Sequence, residues 1–187
     1  DISSGLDTAF INSAINSNLA YRPEFVSNDY TQGKKVSVAI ERELRHCDAF
    51  YISVAFITEG GLAPLKQVLA ELRDKGIPGK ILTTSYLTFT EPKALKTLAD
   101  LSNVEVRVYD STDEGASGFH TKGYIFKEEE IYRFIVGSSN MTASAFSVNK
   151  EWNTKLVSTS DGELLKQMMT EFNALWNSKH TLAVKDF

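Results

Sequence analysis

A continuous apolar segment followed by two helix-and-strand units constrains the fold of this chain more than any other feature. Residues Ala49–Phe56 are almost all apolar, without Gly or Pro, which is typical of a strand covered on both faces. Leucines at helical spacing follow in Glu59–Lys75, then come a strand at Lys80–Ser85, a helix from about Pro92 and a strand at Asn103–Tyr109. This alternation predicts a parallel sheet with right-handed crossover connections.

The chain divides into a short N-terminal segment and one main domain. Apolar residues at helical spacing, then a polar, Asn-rich run, predict a helix and an irregular connection over residues 1–35. Residues 36–187 are expected to form the main domain. It opens with an amphipathic helix over Val36–Cys47 and closes with a broad apolar helical stripe over Asp161–Asn177.

The composition limits the classes of protein to which the chain can belong. With 187 residues and 42% hydrophobic content, it can bury one proper core. No run of eighteen apolar residues and no charged-then-apolar leader occurs, so we expect a soluble, cytoplasmic protein with no membrane partner. The net charge of -4 argues against a protein that coats nucleic acid by bulk electrostatics.

Cysteine and histidine usage gives no support for a disulfide or a metal site. Cys47 is the single cysteine, which excludes an internal disulfide and a thiolate-based zinc cluster. The histidines are His46, His120 and His180, and their spacing matches no metal-binding motif. We therefore expect neither a metal nor another cofactor.

Polar residues with informative spacing gather between Gly118 and Asn153. His120 and Lys122 lie two apart in a segment that reads as a strand, so their side chains share one face, roughly 6.5–7 Å apart along it. A strand over Tyr132–Val136 ends in a small-residue turn that delivers Asn140, and another strand opens at Glu151. An imidazole, an ammonium, an amide and a carboxylate are thus predicted at neighbouring strand ends. Such a set can act on a phosphodiester without a metal.

Each of these groups has a predicted role. A histidine attacks phosphorus through an unprotonated ring nitrogen, and a carboxylate that accepts a hydrogen bond from the other nitrogen fixes that tautomer; we assign the carboxylate role to Glu151. His120 would form a covalent phosphohistidine. Lys122 and Asn140 would donate to the nonbridging oxygens, where one donor is commonly worth ~3 kcal/mol.

A single histidine cannot complete the reaction. An in-line displacement needs attack on one side of phosphorus and protonation of the leaving group on the other. The chain carries one His-x-Lys pair in this pattern. We therefore predict a twofold homodimer that places two His120 side chains in a shared site.

These residues resemble the single-motif branch of the phospholipase D superfamily. The resemblance consists of His120-x-Lys122, then Gly137-Ser138-x-Asn140 with its asparagine twenty residues after the histidine, then Glu151 eleven residues further on. That branch contains small bacterial endonucleases and metal-independent restriction nucleases that share a site across a dimer. Over residues 48–152 the chain looks most like the phospholipase D-like domain at the N-terminus of large bacterial superfamily II helicases.

The resemblance implies a fold and has one departure. It implies an α/β, phospholipase D-like, mixed and largely parallel sheet with helices on both faces. The superfamily pattern places an aspartate five residues after the lysine, where this chain has Lys127. No role is therefore assigned to an acid at that position.

Together these features predict a metal-independent phosphodiesterase, a nuclease acting on DNA rather than RNA, within a larger helicase or restriction-type protein. Ser138, Ser139 and Asn153 are expected to bind substrate; for Ser138 and Asn153 a supporting position behind the catalytic groups is equally open. The alternative is a catalytically weak module that binds nucleic acid or dimerises its host, which Lys127 and the acidic charge favour. A lipid phosphodiesterase is a third option, against which the single motif and the lack of a membrane-binding amphipathic stretch speak.

Overall fold

A computed structural model describes residues 23–86 and 89–184, in which one eight-stranded sheet has helices on both faces. The strands are β1 Glu24–Val26, β2 Ala49–Val54, β3 Gly79–Thr84, β4 Val104–Tyr109, β5 Lys122–Glu128, β6 Ile131–Gly137, β7 Asn153–Thr159 and β8 Thr181–Ala183. The helices are α1 Val36–Leu44, α2 Glu59–Leu62, α3 Lys66–Asp74, α4 Pro92–Ala99, α5 Ala143–Ser147 and α6 Glu163–Trp176.

The predicted strand and helix alternation is confirmed in the centre of the sheet. Strands β2, β3 and β4 are parallel neighbours, with Ile52 beside Ile81 and Ile81 beside Val106. Helices α2 and α3 connect the first pair and α4 connects the second. Parallel neighbours require such crossover connections, which explains why the pattern was legible in the sequence.

The prediction of a largely parallel sheet was wrong, although the sheet is mixed as expected. The strand order is β1-β7-β6-β5-β2-β3-β4-β8, and five of its seven neighbouring pairs are antiparallel. The reason lies in the connections. Only two residues, Glu129 and Glu130, join β5 to β6, and a tight turn of this kind reverses the chain and makes an antiparallel hairpin.

The two faces of the sheet pack against different helices. On one face Phe50, Ile52 and Val54 of β2 join a core with α1 to α5. On the other face Tyr51 packs against α6, where its ring lies 5.7 Å from that of Phe172 in an edge-to-face arrangement. Alternating side chains therefore bury both faces, as the continuous apolar segment predicted.

Several element boundaries differ from the sequence prediction. The helix expected over Glu59–Lys75 is interrupted by a 3-10 turn, Ala63–Leu65, since Pro64 has no N–H to continue an α-helix. Helix α1 ends at Leu44, and β7 begins at Asn153, two residues after Glu151.

The N-terminal segment also differs in its described part. Residues Glu24–Val26 form β1, which pairs antiparallel with β7 instead of forming an irregular connection. The helix predicted in the first fifteen residues lies outside the described residues, so the proposed boundary between residues 35 and 36 stays a prediction. Within residues 23–86 and 89–184, no helix combines the length and the apolar character needed to cross a membrane.

Candidate active site

Four strand ends meet at one edge of the sheet, and the predicted site residues lie there. Strands β5, β6 and β7 are antiparallel neighbours, with Gly123 beside Val136 and Gly137 beside Asn153. The start of β5, the end of β6 and the start of β7 therefore lie at the same edge. The end of β2 joins them, because Val54 pairs with Lys122.

His120 and Lys122 are in direct contact at this edge. Lys122 Nζ lies 2.6 Å from His120 Nδ1 and donates to the His120 carbonyl at 2.9 Å. An ammonium has N–H donors only, so Nδ1 accepts and the proton of the neutral ring is on Nε2. Burial lowers the pKa of Lys122, while the negative charge of Glu151 acts in the opposite direction. The shared face predicted from their spacing is confirmed, although His120 lies just before β5.

Asn140 is oriented by the segment that follows β2. Its side-chain Oδ1 accepts from the backbone N–H of Phe56 at 3.1 Å. The neighbouring Met141 donates its backbone N–H to the Phe56 carbonyl at 3.0 Å, so the two segments are held together. Because Oδ1 is engaged in this way, the two N–H donors of the amide are the groups left for a ligand.

Glu151 is held by serines and not by the histidine. It is 7% exposed and accepts hydrogen bonds from the hydroxyls of Ser138 and Ser139, the latter at 3.2 Å. The bond expected from the His120 ring is not made in this structure, where Nδ1 faces Lys122 instead. Glu151 forms no ion pair within the described part of the chain, so its charge acts on its surroundings.

Ser139 and Asn153 lie behind the site. They are 0% and 3% exposed, and Asn153 Nδ2 donates to Ser139 Oγ at 2.9 Å and to the Val26 carbonyl at 3.1 Å. The backbone N–H of Ser139 donates to Asn153 Oδ1 at 3.3 Å. Their hydrogen bonds are used inside the protein, which favours a positioning role over the expected contact with substrate.

The turn that follows β6 is fixed by two hydrogen bonds between Ser138 and Trp152. The Ser138 N–H donates to the Trp152 carbonyl, and Trp152 donates its N–H to Ser138 Oγ, both at 3.1 Å. Only glycine fits at position 137, since the Cβ of any other residue would come within 2.1 Å of the Trp152 carbonyl oxygen. Ser138 itself is exposed, so of the three residues assigned to substrate binding it is the one that reaches the surface.

An open groove of about 640 Å³ lies beside these groups, whereas Lys122 lines a separate groove of about 450 Å³ against α6. Phe56, Asn140 and Glu151 are among the residues that line the larger groove. The His120 ring stands at its side, 6.2 Å from the Phe56 ring and perpendicular to it. Phe56 was not predicted as a site residue; its place at the end of the buried β2 segment was the available signal.

The remaining side chains that could act as a nucleophile or a metal ligand are engaged elsewhere or lie apart. Burial raises the pKa of Cys47 to about 12, so its thiol is not an available nucleophile. His180 is 8% exposed, and its Nδ1 lies 2.6 Å from Asp113 Oδ2. Across the described ranges, no three His, Cys, Asp or Glu side chains are grouped so that they could hold a metal ion.

Solved structures show which fold this is. The chain is similar to Nuc from Salmonella typhimurium, a phospholipase D family member, with a TM-score of 0.61, 16% identity and coverage of 87% of this chain and 98% of that one. For NucT from Helicobacter pylori the TM-score is 0.65 and the identity 14%, with coverage of 87% of this chain and 99% of that one. For phosphatidylserine synthase from Haemophilus influenzae Rd KW20 the TM-score is 0.61 and the identity 15%, with coverage of 89% of this chain and 41% of that one.

Sequence comparison identifies the family. Curated protein sequences include no match to the chain. The family model described as cardiolipin synthase, PLD-like domain, matches residues 45–176, which is more than half of the 187 residues. This region contains the sheet edge and all the groups gathered on it. The chain therefore belongs to the phospholipase D-like family, as the resemblance of its motifs indicated.

Proposed function

We propose that this protein is a phosphodiesterase that cleaves nucleic acid, DNA rather than RNA, through a covalent phosphohistidine and without a metal ion. The observation that carries the proposal is the convergence of His120, Lys122, Asn140 and Glu151 at one accessible sheet edge. The family supports phosphodiester chemistry. The four groups supply a nucleophile, two donors for a phosphate and a negative charge to stabilise the imidazolium.

Substrate binding prepares the histidine. An anionic phosphate oxygen accepts a hydrogen bond from an ammonium more strongly than an imidazole nitrogen does, so Lys122 moves from His120 Nδ1 onto the phosphate. Nδ1 then takes up the ring proton and Nε2 becomes the nucleophile. Glu151 acts here through its charge, since its hydrogen bonds are made to Ser138 and Ser139.

The reaction proceeds in two displacements. His120 Nε2 forms a bond to phosphorus while the bond from phosphorus to the leaving oxygen breaks, and Lys122 and Asn140 stabilise the charge on the nonbridging oxygens. The His120 of a second copy gives its proton to the leaving oxygen. That histidine then accepts a proton from water, and the hydroxide oxygen displaces His120 from phosphorus and restores both rings.

This scheme requires a homodimer. Each chain supplies one His120, and the edge that carries it is exposed in the single chain, so a twofold axis at this edge would oppose two rings across one phosphate. We also place the domain in a longer helicase or restriction-type protein, on the basis of the motif resemblance. In that setting the host would supply much of the affinity for nucleic acid that an acidic domain lacks.

Lys127 does not remove a catalytic group from this scheme. It pairs with Ala49 and Tyr132 near the other end of β5, five residues beyond Lys122. Five residues of extended strand span roughly 17 Å. An aspartate at this position would therefore lie far from the groove. The alternative, a weak binding or dimerisation module, loses its main argument from the motif, and binding without turnover would favour it.

The direct test is cleavage of single-stranded DNA and of a generic phosphodiester in EDTA. We expect turnover to persist in EDTA and to vanish in His120→Ala. His46→Ala is the matched control, because His46 is exposed and bonds to the Arg42 carbonyl of its own helical turn; it should keep full activity. Strict dependence on a divalent metal, or activity in His120→Ala, would reject the proposal.

A further inference from the structure

We infer that Trp152 and Phe25 form a stacking platform for the unpaired bases of a single-stranded nucleic acid that enters the catalytic groove. This inference rests on the proposed function and specifies its substrate class. It starts from an unusual exposure of large aromatic side chains. Trp152 is 76% exposed and Phe25 is 64% exposed. Side chains of this size are mostly buried in globular proteins, and adjacent exposed ones mark binding surfaces.

The two rings are in contact with each other, and hydrogen bonds and strand pairing fix the backbone that carries them. Their centroids are 6.0 Å apart and their planes are nearly perpendicular, at 82°. Trp152 is held at both backbone groups by Ser138. Phe25 lies in β1, opposite Thr154 of β7. A base that stacks on either ring therefore meets a preformed surface, which lowers the entropy cost of binding.

The platform adjoins the catalytic edge. Trp152 directly follows Glu151 and precedes β7, which lies two strands from β5, the strand that His120 precedes. Two strand spacings are roughly 10 Å. A base next to the scissile phosphate can thus stack on Trp152 while the phosphate lies in the groove.

Cations accompany the platform. Phe25 also borders a second groove of about 450 Å³ that contains Lys34 and Lys35. Neither lysine forms an ion pair with any residue in 23–86 or 89–184. The chain as a whole carries a charge of -4, so this local pair supplies positive charge where the phosphates of a strand lying on the platform would pass. Aromatic faces beside cations are the usual equipment for binding single strands without sequence preference.

Other occupants fit less well. A duplex keeps its bases stacked on one another, so their faces are not available to Trp152. A second copy of the chain would need about 800 Å² of surface on each partner for a stable interface, and two aromatic rings supply at most about 500 Å² even when fully buried. A single strand of nucleic acid is therefore the partner that the platform matches in both shape and charge.

The test is binding to the His120→Ala protein, in which no turnover occurs. End-labelled oligodeoxythymidylate and oligouridylate are titrated by fluorescence anisotropy. Trp152→Ala should raise the dissociation constant roughly tenfold for the strand that binds, Trp152→Phe should stay within about threefold, and Trp152→Leu should behave like Ala because it keeps apolar bulk but no π-face. Leu182 is exposed on β8, the outermost strand on the side of the sheet away from β1. Leu182→Ala should therefore leave the dissociation constant unchanged.

Two further readouts separate stacking from other roles. The chain has two tryptophans, and Trp176 is buried, so the oligonucleotide should quench the fluorescence of Trp152. Replacing Lys34 and Lys35 by Gln should reduce the slope of log affinity against log salt by about 1.4, because each lysine that neutralises a phosphate of a single strand accounts for about 0.7 of that slope.

Several results would overturn the inference. They are equal binding by Trp152→Leu and the parent protein, equal affinity for duplex and single strand, an unchanged salt slope, or conversion of a dimer to a monomer by Trp152→Ala in light scattering. Because every measurement uses the His120→Ala protein, failure of catalysis does not enter. A wild-type protein without nuclease activity whose His120→Ala form still shows the stacking pattern would reject the proposed reaction and retain the platform.

Discussion

Strand β7 and the segment just before it show how differently this protein uses buried charge. Lys155 is 6% exposed, and its Nζ lies 2.8 Å from Glu24 and 3.3 Å from Glu43. Four residues earlier, Glu151 is almost equally buried but has serine hydroxyls as its partners and no cation in the described structure. At Lys155 the charges neutralise one another, whereas at Glu151 a negative charge faces the groove.

The difference separates a structural polar group from one that we propose to be catalytic. A buried ion pair is satisfied by its own members and contributes to the folded state only. The groups at the proposed active site keep donors or charge for a ligand: the Asn140 amide N–H groups, the Lys122 ammonium and the Glu151 carboxylate. Substitutions in the ion-paired cluster around Lys155 should therefore change stability, and substitutions at the groove should change activity.

The largest effect is expected in the ion-paired cluster around Lys155. Glu43→Gln leaves Lys155 without part of its compensation, and removal of one partner from a buried pair typically costs about 3–5 kcal/mol. We expect a loss of this size in the free energy of unfolding, measured by urea titration, while the folded fraction keeps normal activity.

Glu41→Gln is the matched control on the same helix. Glu41 pairs with Arg45 at the surface, where the two side chains are 30% and 40% exposed, and such pairs contribute about 0–1 kcal/mol. If both variants lost the same stability, the buried cluster would have no special role.

The next effect is expected at the groove. Asn140→Ala removes a donor to the phosphate, which should lower kcat about 10²- to 10³-fold. Its bond to Phe56 N–H is also lost, but Met141 and Phe56 still hold the two segments together. The thermal midpoint should therefore move far less than in Glu43→Gln.

Asn173→Ala is the control for this substitution. Asn173 is exposed on α6, on the other face of the sheet, and its replacement should leave kcat unchanged. A steady-state assay with both variants decides the matter, and unchanged turnover in Asn140→Ala would contradict our assignment of a phosphate donor.

The smallest effect concerns pH. Burial alone would raise the pKa of Glu24, but its hydrogen bonds to Lys155 and Arg42 outweigh burial and lower the pKa below its usual 4.5. A lowered folded-state pKa means that this carboxylate contributes stability at neutral pH, and that the contribution is lost as the pH falls below 4.5 towards the folded value. Glu24→Gln should therefore show a smaller decrease in thermal midpoint between pH 6 and pH 3 than the parent protein. An equal decrease in both would assign acid sensitivity to other groups.

The sequence predicted the elements that repeat a strong pattern. Strand β2 was evident because both its faces are buried, so its side chains are apolar without alternation. The motif residues were evident because strand periodicity brings His120 and Lys122 to one face. The antiparallel pairings were less evident, because the predicted alternation ends at Tyr109 and the remaining order depends on contacts between distant segments.

Features that depend on a few residues have weaker signals in the sequence. Strands β1 and β8 contain three residues each, too few for a periodic pattern. Alternating Glu151, Asn153 and Lys155 resembles a water-facing strand, yet all three are buried, because each finds a partner from another element. Hydrogen bonds of this kind, such as that from Ser139 to Glu151, have no signature in sequence spacing.

The most direct test of the central claim is to trap the intermediate. The protein is mixed with single-stranded DNA in EDTA, quenched rapidly with alkali during turnover, digested and analysed by mass spectrometry. We predict an acid-labile phosphoryl adduct on the peptide that contains His120, and none on the peptide that contains His46. Turnover without any adduct, or an adduct on Ser138 in place of His120, would contradict a covalent histidine mechanism.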